Sequence, residues 1–158
     1  MESLKQALHQ QFGAAIAMLE NAVQACPEWL WDNYDKGPAF WQVVYHTTYY
    51  LDLYFSEFEG MLSTSPKHNG TAHRLESIPE RTRSKNELLE FLSNARLKCF
   101  SVVDALNQTY LERSTPFEWQ SFNLANLVLD NLRHVQHHVG QLVMLLRREA
   151  NVDLEWIE

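Results

Sequence analysis

Asn131-Leu132-Arg133-His134-Val135-Gln136-His137-His138-Val139-Gly140-Gln141-Leu142 is the stretch from which the rest of the chain can be read. Apolar residues recur in it every three or four positions, and the pattern extends through Leu124, Leu127 and Val128 on one side and Leu145 and Leu146 on the other. This is the period of a helix with one buried stripe. It predicts a long helix from Ser121 to Ala150, with Arg147 and Arg148 at the end where the helix dipole favours cations. The stripe is interrupted by Asn131, His134, His138 and Gln141, three and four residues apart. Four residues advance a helix by a little more than one turn, which puts His134 and His138 on one face with Cβ atoms roughly 6 Å apart. Two imidazoles so placed can chelate one cation at about 2.0–2.1 Å. His137 points about 100° away from His138 and is left out of that site.

Outward from this helix the same period continues. Leu4, Leu8, Phe12, Ala15, Leu19 and Val23 predict a first long helix from Glu2 to Ala25. A second is expected from Pro38, suited to the first helical position, to Met61, carrying Phe40, Trp41, Val44, Tyr45, Leu51, Phe55 and Phe58. Ser84 followed by Glu87 reads as a capping box opening a third, which continues through Leu88, Phe91, Leu92, Ala95, Val102 and Leu106. Residues Pro27 to Pro38 form a connection rich in large aromatics, and from Leu62 to Arg83 the composition shifts to Ser, Thr, Pro, Asn, Gly, His and Arg. The expected fold is all-α: a four-helix bundle with a long crossover between its second and third helices, one domain over residues 1–158.

With 158 residues, 46% of them hydrophobic, the chain has the material for a core without disulfide staples. Thirteen Lys and Arg against 20 Asp and Glu leave a net charge of −7, the wrong sign for neutralising phosphates, so nucleic acid is not an expected partner. The N-terminus lacks the apolar core of a signal peptide, and no run approaches the ~20 apolar residues that span a bilayer. Two cysteines, Cys26 and Cys99, stand outside any CxxC pair, as in a reduced cytoplasmic protein.

A third imidazole, His46, lies within the aromatic second helix, with Gln42 and Tyr50 one turn to either side. If the second and fourth helices are neighbours, His46 faces the His134/His138 pair across the core. Three neutral imidazoles leave coordination positions open for water or substrate, as in catalytic metal sites. The plainer reading is that each is a half-buried polar residue with a backbone or water partner. His9, His68 and His73 are expected to be solvated.

The Asn131–Leu142 run resembles the fourth-helix signature of the DinB/YfiT-like superfamily, in which two histidines four residues apart precede a Gly-Gln pair, here Gly140-Gln141. His46, in its helix with Trp41, corresponds to the family's first metal histidine, and the segment Pro79 to Ser84 fits the approach to the third helix. The resemblance covers nearly the whole chain. It implies a divalent transition metal, zinc or nickel, on His46, His134 and His138, and a homodimer. It also implies a metal-dependent enzyme acting on a small-molecule substrate, most simply a thiol S-transferase using a low-molecular-weight thiol, or else a hydrolase. The competing reading is a non-catalytic, stress-associated metal-binding dimer. One departure is Val139, where many relatives carry an arginine after the second histidine.

For the chemistry, Trp29, Trp31, Tyr34, Trp41, Tyr45, Tyr49 and Trp119 are candidates for an aromatic mouth, against the plainer reading that aromatics at helical spacing are core. Gln141 and Asn131 are candidates to orient a ligand or to bridge helices. No fourth protein ligand is evident: Cys99 is on the third helix, and Glu57 and Glu59 lie about three turns beyond His46. Because imidazoles must be neutral to bind, metal affinity is expected to fall as pH drops through roughly 6.5 toward 5.

Overall fold

The computed structural model describes residues 1–35, 37–56, 72–117 and 120–158. The predicted tail of the second helix, the first part of the crossover up to residue 71, and with them Glu57, Glu59, His68 and Trp119, lie outside these residues. Among the described residues the structure is all-α: α1 (Glu2–Ala25), α2 (Glu28–Trp31), α3 (Phe40–Ser56), α4 (Lys85–Ala105), α5 (Gln108–Leu111) and α6 (Leu124–Leu145), with one closing π turn at Leu146–Ala150. Among the described residues the extended backbone forms one antiparallel bridge, Ser114 to Asn123, and no strand.

The long helices form where the apolar period predicted them. On α1 the stripe Leu8, Phe12, Ala15, Ile16, Leu19 and Val23 is buried, while Leu4, assigned to the same stripe, is exposed because the first turn projects past the core. Pro27 follows directly, with no N–H to continue the helix. At α4 the capping box is present in full: the Ser84 hydroxyl accepts from the Glu87 amide, and the Glu87 carboxylate accepts from the Ser84 amide at 2.8 Å. Helix α3 begins two residues later than expected. The first carbonyl accepted is that of Ala39, by Gln42 and Val43, so Ala39 caps the helix and Pro38 precedes it. Helix α6 begins at Leu124 instead of Ser121 because the Asn123 side chain accepts from the Asn126 amide and sets the cap there. Two single-turn helices, α2 and α5, occupy segments read as connections; four residues are too few to show a helical period.

Helices α1 and α3 each pack along both α4 and α6 and touch one another only slightly. Phe12, Ile16, Leu19, Phe40, Trp41, Phe55, Leu92, Leu127 and Leu142 fill the space between them. The tryptophan indoles tie the connections down: Trp41 Nε1 donates to Asp32 at 2.9 Å and Trp31 Nε1 to the Arg83 carbonyl at 2.8 Å. Inside the α3–α4 contact, the Lys98 ammonium is ion-paired with Asp52, which is 1% exposed, and donates to the Ser56 hydroxyl at 2.8 Å.

That ion pair predicts an asymmetry in stability. Lys98→Met deprives a buried carboxylate of the Lys98 ammonium and is expected to cost about 3 kcal/mol. Arg147→Met, which removes an exposed pair with Asp153, is expected to cost less than about 1 kcal/mol. Urea denaturation of the two variants beside wild type measures both; equal losses would contradict the assignment.

Candidate metal centre

Because α3 and α6 are neighbours, His46 meets His134 and His138 across their contact. The ring centroids lie 4.6 Å apart for His46 with His138, 4.6 Å for His134 with His138, and 5.0 Å for His46 with His134. One nitrogen from each ring falls within 4.8 Å of the other two. The first two Nε2 atoms, of His46 and His134, are 3.1 Å apart. Nitrogens sharing a tetrahedral ion at about 2.0–2.1 Å sit roughly 3.3 Å apart, so the spacing suits one ion.

Two of the rings are oriented from behind. His46 Nδ1 donates to the His73 carbonyl at 2.6 Å, and His138 Nδ1 donates to Gln141 Oε1 at 2.7 Å. A carbonyl-type acceptor fixes the proton on Nδ1 and leaves the Nε2 lone pair for a metal, the arrangement that outer partners impose on histidine ligands. His134 Nδ1 is buried with no hydrogen-bond partner among the described residues. With the His46 proton on Nδ1, its Nε2 accepts from His134 Nε2–H, and an ion at this point would take the place of that shared proton.

Electrostatics keep the cluster neutral. Burial, then the neighbouring imidazoles, pushes His134 down to about 3. Burial also lowers His138 to about 4, partly opposed by its bond to Gln141. His46 is lowered by burial against the opposing pull of the His73 carbonyl. Neutral imidazole is the form that binds metal. The thiols are unlike this: burial raises Cys26 to about 12 and raises Cys99 as well, so neither supplies a thiolate near neutral pH.

The aromatic surround differs from the expected mouth. Tyr50, one turn after His46, packs its ring 4.9 Å from His46 and 5.3 Å from His134. Tyr54 and Phe117 continue the wall, and Tyr49 stacks on His73 at 4.4 Å. Of the six described aromatics assigned to the mouth, Tyr49 alone lies in this group. Trp31 and Trp41 are buried and bound elsewhere, Tyr45 lies beneath the Arg83 guanidinium, Tyr34 packs on the core, Trp29 is exposed, and Trp119 is outside the described residues. The four-residue spacing from His46 was the signal for Tyr50. The backbone carbonyl of His73 had none, since a carbonyl has no side-chain identity to read. His73 itself is half-buried, not solvated, and His9 is paired with Asp104 at 2.7 Å.

Asn131 is fully buried and donates to the Leu51 carbonyl at 3.3 Å, joining α6 to α3. Gln141 orients His138. Val139, after the second histidine, is fully buried in the core and brings no polar group to the site.

A helical protein that gathers three neutral imidazoles at one point, with no Cys, Asp or Glu of the described residues joining them, has the makings of an open metal site. Residues 11–142 match the DinB superfamily, and the chain belongs to that family. No curated protein and no solved structure matches it.

The lowered histidine pKa values define a pH window. Unfolded imidazoles titrate near 6.5 and the folded His134 and His138 near 3 to 4, so below pH 6.5 the unfolded chain binds more protons. The stability of the metal-free protein is therefore expected to be fully present above pH 6.5 and to fall steadily towards pH 4. Proton competition for zinc follows the folded values, so affinity should hold between pH 6.5 and 5, where ordinary imidazoles would already lose it, and drop towards pH 4. Thermal melts and chelator-competition titrations across pH 4–7 measure both. A steep loss of zinc affinity between 6.5 and 5 would contradict the burial assigned to these rings.

Proposed function

We propose that the chain is a metal-dependent transferase of small thiols, with His46, His134 and His138 as its metal ligands. The observation that carries this reading is the convergence of three neutral imidazoles with no further Cys, Asp, Glu or His of the described residues joining them. A closed structural zinc site takes four protein ligands; three leave room for a substrate sulfur. A divalent cation, zinc or nickel, supplies there the charge that deprotonates a bound thiol near neutral pH.

The chain's own residues provide the rest. Three neutral imidazoles leave the ion's charge undiminished. The His73 carbonyl and Gln141 hold two of them in the ligating tautomer. Tyr50, Tyr54 and Phe117 form an apolar wall for a hydrophobic electrophile. Because Cys26 and Cys99 are buried and protonated, the sulfur must come from a low-molecular-weight thiol. With an epoxide, that sulfur forms a bond to carbon as the C–O bond breaks; the thiol's proton leaves to solvent, and the released alkoxide takes one back from water. Hydrolysis, with water in place of the thiol, is the lesser alternative. The same reading includes a four-helix bundle with a long crossover between its second and third long helices, a single domain, a homodimer and a cytoplasmic setting; the packing of α1 and α3 on both α4 and α6 supports the bundle. Among the described residues no helix is long and apolar enough to cross a membrane.

His134→Ala is expected to abolish zinc-dependent conjugation of a thiol panel to an epoxide or activated alkene while leaving most of the helical signal, because the apolar stripes supply the core without the ion. A variant that loses mainly its metal-dependent rise in melting temperature, beside a zinc-loaded wild type that conjugates no thiol, would favour the non-catalytic reading. Light scattering at micromolar concentration is expected to give a dimeric mass; a monomer would remove the homodimer from this proposal.

A further inference from the structure

Gln42 is polar, fully buried, and one turn before His46 on α3. Both hydrogens of its amide are used: Nε2 donates to the Arg74 carbonyl at 2.9 Å and to the Ser77 carbonyl at 2.6 Å. Its Oε1 is buried with no hydrogen-bond partner among the described residues. Burying an amide with an unsatisfied oxygen is costly, and an apolar residue of that size would avoid the cost. What the glutamine gains is a hold on residues 72–83, which carry no helix or strand of their own.

The segment runs over the outside of the metal centre. Its His73 carbonyl is the acceptor that orients His46, its His73 ring stacks on Tyr49, and its Ala72 is buried. At the far end the Arg83 carbonyl is held by Trp31, and Thr82 donates to Asp32 at 2.6 Å. Gln42 is the clamp nearest the ligand: it grips the carbonyls one and four residues beyond the one that His46 itself uses.

We infer that Gln42 is a positioning residue for the metal centre, acting on His46 through the seating of residues 72–83, so that metal binding and the seating of this segment support each other. The inference rests on the metal reading above. An ion on His46 Nε2 draws electron density from the ring and makes Nδ1–H a stronger donor to the His73 carbonyl. Binding therefore tightens the segment. By linkage, a segment already held in register raises the affinity for the ion. Without the two Gln42 bonds, the His73 carbonyl is free to drift from His46 Nδ1, and the ring loses the partner that fixes its tautomer.

The test uses Gln42→Met, which keeps side-chain length and volume but has no donor. A role in packing alone predicts unchanged zinc affinity and an unchanged cobalt spectrum. Positioning predicts zinc binding at least about tenfold weaker in chelator competition, within the 10- to 100-fold range for outer-shell partners of metal ligands, together with an altered cobalt(II) visible spectrum. In parallel, hydrogen exchange of amides 72–83 in the wild type is expected to slow on adding zinc. Equal zinc affinity in wild type and variant overturns the inference and leaves the metal reading standing. Failure of wild type to bind zinc overturns both. Should Gln42→Met not fold, the wild-type exchange measurement decides alone: no zinc-dependent protection of residues 72–83 overturns the coupling.

Discussion

The packing of α3 on α6 is the contact on which the rest of the molecule depends. It brings histidines 88 and 92 residues apart in the chain into one cluster, and it does so inside a core that excludes enough water to keep them neutral. The contact is built mainly from ordinary apolar residues, and Asn131 ties it to the Leu51 backbone beside the imidazoles. Neutrality follows from burial and the metal-binding form follows from neutrality, so the same packing that stabilises the fold prepares the ligands.

Around this centre the structure spends polar groups where apolar ones would pack more simply. Gln42, Asn131 and His138 are all buried. Each holds something in register: a return segment, a neighbouring helix or a metal-ligating nitrogen. The buried Asp52–Lys98 pair does the same for α3 and α4. In a bundle whose apolar stripes would tolerate rotation or sliding, such directional contacts define which atoms meet. A site needing three nitrogens within a few ångströms requires that definition.

The chemical consequence is a division of labour between chain and solution. The chain supplies an ion cradle of neutral donors and an aromatic wall, while its own thiols are protonated by burial. Under the proposed thiol transfer, a reactive sulfur would have to come from outside the chain. Val139 shows the same restraint: its burial in the core leaves no charged group at that point of α6, so recognition of an anionic partner would have to come from elsewhere on the surface.

Much of this was legible in the sequence, and for a physical reason. Helical period is a local property, so α1, α3, α4 and α6 could be read from apolar spacing, and the i,i+4 rule alone put His134 and His138 on one face. The Ser84–Glu87 cap was equally local. Helix ends shifted where a competing cap intervened, as at Ala39 and Asn123, and single turns such as α2 and α5 are too short to show a period. Tertiary structure alone decided what depends on distant segments meeting: that α3 lies against α6, that Tyr50 and not Trp31 or Trp41 faces the imidazoles, that burial moves the histidines' titration well below its ordinary value, and that the partner of His46 is a backbone carbonyl. Spacing along one helix is set by covalent geometry, whereas a contact between segments is set by the whole core, and a carbonyl looks the same at every position of the chain.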